Sequence, residues 1–131
     1  MNRREHKTFM ARTRNSFASH RRRAQDAGQE LDYTLDHLRQ HVAWHLEKPC
    51  TYCGKPMTAK TFSVDHRNPV KRGGQFTWDN LQIIDTRCNQ IKGTMNDAEY
   101  AAFLIRLQAF PEEISKNIMA RMRAGAAIIR C

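Results

Sequence analysis

The chain has 131 residues, a length that suits one compact domain and leaves little room for a second. Hydrophobic residues make up 40% of it, so the core should be modest and a bound metal would help to hold it together. No apolar run approaches the roughly 18 residues that a membrane span requires, and the chain does not begin with an apolar leader. These features exclude a membrane-spanning protein and predict a cytoplasmic one.

The positive charge of the chain is concentrated at its start. The formal net charge is +9, and residues 1–23 carry most of it, ending in the run Arg21, Arg22 and Arg23. Basic side chains that neutralise phosphates release condensed counterions, so this segment favours a nucleic-acid partner. Charge without a motif is equally typical of a merely soluble surface. Because the segment shows little apolar periodicity, we predict a basic arm over residues 1–30, with some helix on binding DNA, and a folded domain over 31–131.

The first periodic segment predicts a helix over about 34–47. Leu35, Leu38, Val42 and Leu46 recur at spacings of three and four, and Pro49 marks the stop.

A cysteine pair follows this helix. Cys50 and Cys53 stand three positions apart in a tight turn, and two thiolates at this spacing supply half of a tetrahedral zinc site. In a reducing compartment such cysteines more often bind metal than form disulfides. Cys88 is a third candidate ligand. A complete second pair would have another cysteine three positions before Cys88, and this chain has Asp85 there, a candidate oxygen ligand. His41, His45 and Cys131 are alternative fourth ligands. A lost or weakened zinc site is the competing interpretation.

The middle of the chain predicts a strand, a loop and a second strand. Residues 61–65 include β-branched and aromatic side chains typical of a short strand, Pro69, Gly73 and Gly74 indicate a loop, and residues 80–84 are predicted to form the second strand. A short helix is expected at about 86–92. Further on, Asn96 followed by Glu99 predicts a helix N-terminus, and Pro111 should end that helix and begin another.

The stretch from Val64 to Gly93 carries the most informative constellation. It contains Asp65-His66, then the loop with Gly73-Gly74, then Asn80-Leu81, and finally Cys88-Asn89 followed by Lys92. His66 and Asn80 are 14 positions apart, and Asn80 and Asn89 are nine apart. This arrangement resembles the motif of HNH endonucleases over about residues 50–93. Asn89 replaces the third histidine of the family name, which makes this chain an HNN variant.

The resemblance implies a small α+β fold, a ββα-metal core with zinc-knuckle elements, flanked by N- and C-terminal helices. It also implies hydrolysis of DNA phosphodiester bonds with Mg²⁺ or Mn²⁺, in a bacterial or phage-infected host cell. His66 would deprotonate water, since a histidine with its ordinary pKa is partly neutral at physiological pH. Asp65 and the amide oxygen of Asn89 would hold the catalytic ion, because Mg²⁺ prefers hard oxygen ligands. Asn80 would orient the His66 ring.

One geometric difficulty accompanies this assignment. Neighbours in a regular strand point to opposite faces, so Asp65 and His66 can share a site only if the strand ends near them.

Basic residues around the proposed site are candidates for contacts with phosphate, with a solvated basic face as the alternative for each. They are Arg67, Lys71, Arg72, Arg87 and Lys92, together with Arg21, Arg22 and Arg23 of the arm. One site should make one cut, so a monomer is expected to nick DNA, and double-strand cleavage would need a homodimer or two visits. Two other functions remain open: a catalytically inactive zinc-ribbon module that binds DNA, and an RNA-directed nuclease.

Overall fold

The computed structural model describes residues 1–130, and their side chains as far as residue 125. Over this range the chain is an α+β fold with one antiparallel pair of strands, as predicted. Its elements are α1 (Arg3–Asp26), α2 (Leu35–His45), β1 (Phe62–His66), β2 (Leu81–Asp85), α3 (Thr86–Lys92), α4 (Asp97–Leu107) and α5 (Glu112–Arg130).

The two strands and α3 form a ββα unit at the centre of the fold. In the antiparallel ribbon Phe62 lies opposite Asp85, and Asp65 lies opposite Gln82. The chain then turns directly into α3, because the Asp85 carboxylate accepts a hydrogen bond from the backbone N–H of Arg87 at 2.8 Å and caps the helix. The predicted ββα core is therefore confirmed, with each strand displaced by one residue from its predicted bounds.

The hydrophobic core joins the ribbon to the surrounding helices. Leu38 and Val42 of α2 are fully buried, as their spacing predicts, and they share one cluster with Phe62, Ile84 and Tyr100. The Asn96–Glu99 capping box is also present, with each residue's side chain accepting from the other's backbone N–H. One core thus holds the ribbon, α2, α3 and α4 in fixed positions around the candidate site.

The N-terminal segment differs from the expected arm. Residues 3–26 form one regular helix that begins with an Asn2–Glu5 capping box. One face of it is buried through Phe9, Thr13, His20 and Ala24. The Arg12 guanidinium donates to the backbone carbonyls of Ala59 and Phe62 at 2.7 and 2.6 Å. The segment is thus packed against the domain.

Among residues 1–130, no helix combines the length and the apolar character needed to cross a membrane.

Candidate active site and metal centre

Three cysteines come together where the segment after α2 meets the start of α3. The sulfur atoms of Cys50, Cys53 and Cys88 all lie within 4.8 Å of one another. The first two are held by a tight turn in which the backbone N–H of Gly54 donates to the Cys50 carbonyl at 2.9 Å. Gly54 has a φ of +75°, a conformation that favours glycine. The sequence prediction that these cysteines form one cluster is borne out.

Hydrogen bonding within this cluster favours the thiolate form of one cysteine. A hydrogen bond with the Cys88 thiol lowers the pKa of Cys50 to about 5, and the backbone N–H of Asp85 also donates to its sulfur at 3.4 Å. The ligand form of cysteine is the thiolate, and zinc is the metal that three clustered sulfurs fit best. The residues present therefore suit a structural zinc ion, with Cys50 deprotonating most readily.

The fourth zinc ligand is not Asp85 in this geometry. The Asp85 carboxylate lies outside the three-cysteine group and caps α3 instead. His41 and His45 also lie outside the group, on α2, where their rings contact each other with centroids 4.7 Å apart. Cys131, the remaining alternative, lies outside the described residues.

Asp65 lies in the seam between β1 and α3, where it is 8% exposed. Its Oδ2 atom is 3.0 Å from Nζ of Lys92 and accepts a hydrogen bond from the Gln82 side-chain amide at 2.9 Å. Oδ2 makes both of these contacts, and Oδ1 makes neither. A carboxylate held in this way can offer its second oxygen to a cation.

Lys92 occupies a position that the sequence did not suggest. It is 1% exposed, and besides its ion pair with Asp65 it donates to the backbone carbonyl of His66 at 3.0 Å. A buried ammonium group cannot reach the phosphates of a bound duplex. The expected phosphate contact by Lys92 is therefore corrected: this residue fixes the end of β1.

Asn89 lies on the same face of α3 as Lys92, since residues three positions apart are neighbours on a helix surface. Its amide nitrogen donates to the Ser63 hydroxyl at 2.6 Å. Ser63 and Asp65 are two positions apart and therefore lie on the same face of β1. Asn89 and Asp65 thus both border the seam between β1 and α3. The amide oxygen of Asn89, the atom that Mg²⁺ prefers, takes no part in the Ser63 bond.

The His66 ring turns toward α1 and the loop rather than into this seam. It is 7% exposed and lies 5.2 Å from the Phe76 ring and 4.8 Å from the His20 ring, between centroids. Among the described residues, its Nε2 is the one buried side-chain nitrogen or oxygen without a hydrogen-bond partner. The side chains of His66 and Asp65 thus point to opposite faces of the strand, as expected. Lys92 connects the two residues, because it binds both the backbone carbonyl of His66 and the carboxylate of Asp65.

The environment of His66 keeps its ring neutral. Burial lowers the pKa of His66 to about 4, and the positive charges of Arg23 and Lys92 act in the same direction. Burial, with His66 and Arg23, also lowers the pKa of His20 to about 3. A neutral imidazole can accept a proton at physiological pH, as a general base must.

These two buried histidines predict an acid-sensitive fold. Their pKa values are lower in the folded chain than the roughly 6.5 of an unfolded histidine, so below that pH the unfolded state binds more protons and stability falls. At pH 4.5 each histidine should lower the free energy of unfolding by on the order of 2 kcal/mol relative to pH 7. Urea denaturation at both pH values checks this, and His20→Phe should remove about half of the difference. An equal loss in His20→Phe and wild type would contradict the assignment.

Asn80 holds the loop that follows His66. Its side-chain oxygen accepts from the backbone N–H of Asn68 at 2.9 Å, and its amide nitrogen donates to the carbonyls of Asn68 and Gln75 at 3.0 and 2.8 Å. Gly74 is needed in the same loop, because a Cβ there would lie 1.8 Å from the Asn68 carbonyl oxygen. The predicted role of Asn80 as a direct partner of the His66 ring is thus replaced by a role in shaping the adjoining backbone.

Loss of these bonds should be costly. We expect Asn80→Ala to lower the free energy of unfolding by about 1–2 kcal/mol, because it removes three hydrogen bonds to the backbone of the loop. Urea denaturation monitored by circular dichroism measures the effect. Asp79→Ala is the matched control: its carboxylate bonds only to the Thr77 hydroxyl at the surface, and it should change stability by less than about 0.5 kcal/mol. Equal effects of the two substitutions would count against the role of Asn80.

The other candidate phosphate contacts are exposed. Arg67 lies 3.8 Å from Asp97, and Arg72 pairs with Glu99, while Lys71 and Arg87 face solvent. Arg21, Arg22 and Arg23 are exposed on α1, and the Arg23 guanidinium lies 5.6 Å above the Phe76 ring that also contacts His66. Arg23 is therefore the basic residue of the N-terminal segment that the structure brings to the candidate site.

Two residues that were not predicted as site residues, His20 and Tyr33, support the His66 ring directly and indirectly. His20 of α1 contacts that ring, and Tyr33 holds His20 through a 3.1 Å contact between the hydroxyl and Nδ1. The signal was present: Phe9, Thr13, His20 and Ala24 follow a helical repeat. Because Thr13 and His20 are polar, the spacing of apolar residues alone does not show that these two side chains face inward.

The comparisons with known proteins agree with this geometry. A family model described as HNH endonuclease matches residues 50–103, from the first cysteine of the cluster into α4. No curated protein matches the chain. The matched range contains the sulfur cluster, both strands, α3 and the seam between Asp65 and Asn89. Over residues 50–103 the chain is therefore similar to the HNH endonuclease family.

Proposed function

We propose that this chain is a metal-dependent DNA endonuclease that hydrolyses phosphodiester bonds with a water activated by His66. The family match implies a nuclease function, and the observation that carries the proposal is a neutral, buried imidazole at the end of β1, in a residue whose backbone carbonyl is joined through Lys92 to the Asp65 carboxylate. The ends produced would be a 5′-phosphate and a 3′-hydroxyl. We place the protein in the cytoplasm.

Each residue of the site has a separate task in this proposal. His66 accepts a proton from the attacking water. Oδ1 of Asp65 and the amide oxygen of Asn89 would hold one Mg²⁺ or Mn²⁺, which would supply Lewis-acid chemistry at the phosphate. Lys92 keeps Oδ2 of Asp65 fixed, so the carboxylate presents its other oxygen in a single orientation.

The remaining residues position the DNA. Asn80 shapes the loop after His66. Arg23 lies near enough to His66 to lower the pKa of that histidine, so the Arg23 guanidinium can contact a phosphate beside the ring. Arg21, Arg22, Arg67, Lys71, Arg72 and Arg87 extend the basic surface. A zinc ion held by Cys50, Cys53 and Cys88 ties α3, and with it Asn89, to the rest of the domain. A monomer would nick one strand, and a homodimer would cut both.

Cleavage of supercoiled plasmid tests this proposal. The purified chain should convert the plasmid to the nicked form with Mg²⁺ but not with EDTA, and His66→Ala should lose cleavage while still binding DNA. Retained binding without metal-dependent cleavage by the wild type would identify an inactive zinc-ribbon DNA-binding module. Faster cleavage of a labelled RNA than of DNA would identify an RNA-directed nuclease. Equal cleavage by wild type and His66→Ala would mean that the site is wrong.

A further inference from the structure

We propose that His20, on α1 and outside the family match, is a positioning residue that holds the His66 ring in the orientation needed to accept a proton from water. The inference rests on the proposed nuclease function. It starts from the contact between the two rings, whose centroids are 4.8 Å apart with planes inclined at 56°. The Phe76 ring contacts His66 at 5.2 Å and also lies 6.5 Å from His20. The His66 ring is thus enclosed between an aromatic side chain of the loop and an imidazole of α1.

The His20 ring is itself fixed in place. It is 6% exposed, and its Nδ1 lies 3.1 Å from the hydroxyl of Tyr33, which is also buried. Tyr33 packs in turn edge-on against Phe17 of α1, with centroids 6.0 Å apart. A ring fixed by a hydrogen bond and by packing can restrict its neighbour, whereas a freely rotating ring cannot.

The His66 ring needs such restraint. Its Nε2 is buried without a hydrogen-bond partner in the described part of the chain, so no polar contact of that atom sets the ring angle. A general base works only when one nitrogen lies within hydrogen-bond reach of the water. The packing of His20 against the ring supplies the missing restraint.

The role assigned to His20 implies that α1 belongs to the active unit. The family match begins at Cys50, so this contribution comes from a segment outside the matched range. Displacement of a catalytic group by about 1 Å can reduce a rate by on the order of 100-fold. Loss of the His20 ring is therefore expected to affect the chemical step more than the binding of DNA.

The test is single-turnover cleavage of a labelled duplex by the full chain with Mg²⁺, together with the affinity for the same duplex. We expect His20→Ala to reduce the cleavage rate by about 10- to 100-fold and to change the affinity by less than threefold. The double variant His20→Phe with Tyr33→Phe keeps both rings but removes the polar pair, so its rate should lie between those of His20→Ala and wild type. Phe9→Leu is the structural control, since Phe9 is buried on the same face of α1 about 16 Å away along the helix.

A second readout does not depend on activity. The ring proton resonances of His66, assigned with His66→Ala, should shift in His20→Ala but not in Phe9→Leu. A His20→Ala rate within twofold of wild type, with unshifted His66 resonances, would overturn the proposal while leaving the nuclease function intact. A double variant as slow as His20→Ala would also overturn it, because packing would then not be the cause. Absence of any His66-dependent cleavage by the wild type would overturn the proposed function and, with it, this role.

Discussion

Removal of zinc is expected to unfold most of the domain. Structural zinc sites contribute about 10 kcal/mol or more to folding, and the total stability of a domain of this size is about 5–15 kcal/mol. Cys88 lies in the first turn of α3, and Cys50 and Cys53 lie in the turn after α2. The ion would thus join α3, seven residues long and too short to be stable alone, to the remainder of the core.

Thermal denaturation followed by circular dichroism measures this effect, with zinc content determined by native mass spectrometry. Either a strong chelator or Cys88→Ser should abolish the cooperative transition, and the chelator should have no further effect on Cys88→Ser. A parallel Cys131→Ser variant shows whether the fourth cysteine is a ligand. Identical melting of wild type with and without chelator, with less than half an equivalent of zinc bound, would contradict a structural zinc site.

The second large effect concerns the buried pair of Lys92 and Asp65. Replacing Lys92 by methionine leaves a buried carboxylate without its counter-charge, and truncating one member of such a pair costs about 3–5 kcal/mol. The same change removes the 3.0 Å hydrogen bond to the His66 carbonyl. We therefore expect Lys92→Met to be strongly destabilised, even though methionine fits an apolar site.

A double-mutant cycle in urea separates the pair from simple packing. Asp65→Asn keeps the shape of the side chain without its charge, so Lys92→Met with Asp65→Asn should recover at least half of the loss seen in Lys92→Met. The control is Lys116→Met, which breaks an exposed pair with Glu112 and should cost less than about 1 kcal/mol. If the double variant is no more stable than Lys92→Met, the ion pair is not the source of the effect.

Local sequence signals located the centre of the fold correctly. The β-branched strands, the helix over 86–92 and the Asn96–Glu99 box each depend on residues close together in the chain, and the structure has all of them. The cysteine cluster could be predicted for a similar reason, because the spacing of Cys50 and Cys53 reflects the geometry of a metal site. The proposal that Asp65 and Asn89 act together came from family likeness, because spacing alone does not indicate it.

Contacts between segments far apart in the sequence could not be predicted from local signals. The placement of α1 depends on a stripe that includes Thr13 and His20, which only the folded core identifies as inward-facing. Lys92 was expected at the surface because lysine is rarely buried, and its burial depends on an acid 27 positions earlier. Asn80 was assigned to the wrong partner for a related reason, since its backbone partners at Asn68 and Gln75 leave no signature in side-chain identity.

The central claim is that Asp65 and Asn89 hold one divalent cation for water activation by His66. The most direct test is the Mg²⁺ dependence of single-turnover DNA cleavage by wild type, Asn89→Ala and His66→Ala. We expect Asn89→Ala to need about tenfold more Mg²⁺ for half-maximal rate, since loss of one ligand weakens the site. His66→Ala should be at least about 100-fold slower at every Mg²⁺ concentration, because its defect lies in proton transfer. Mg²⁺ curves for Asn89→Ala and wild type that coincide, or saturating Mg²⁺ that restores His66→Ala, would contradict the claim.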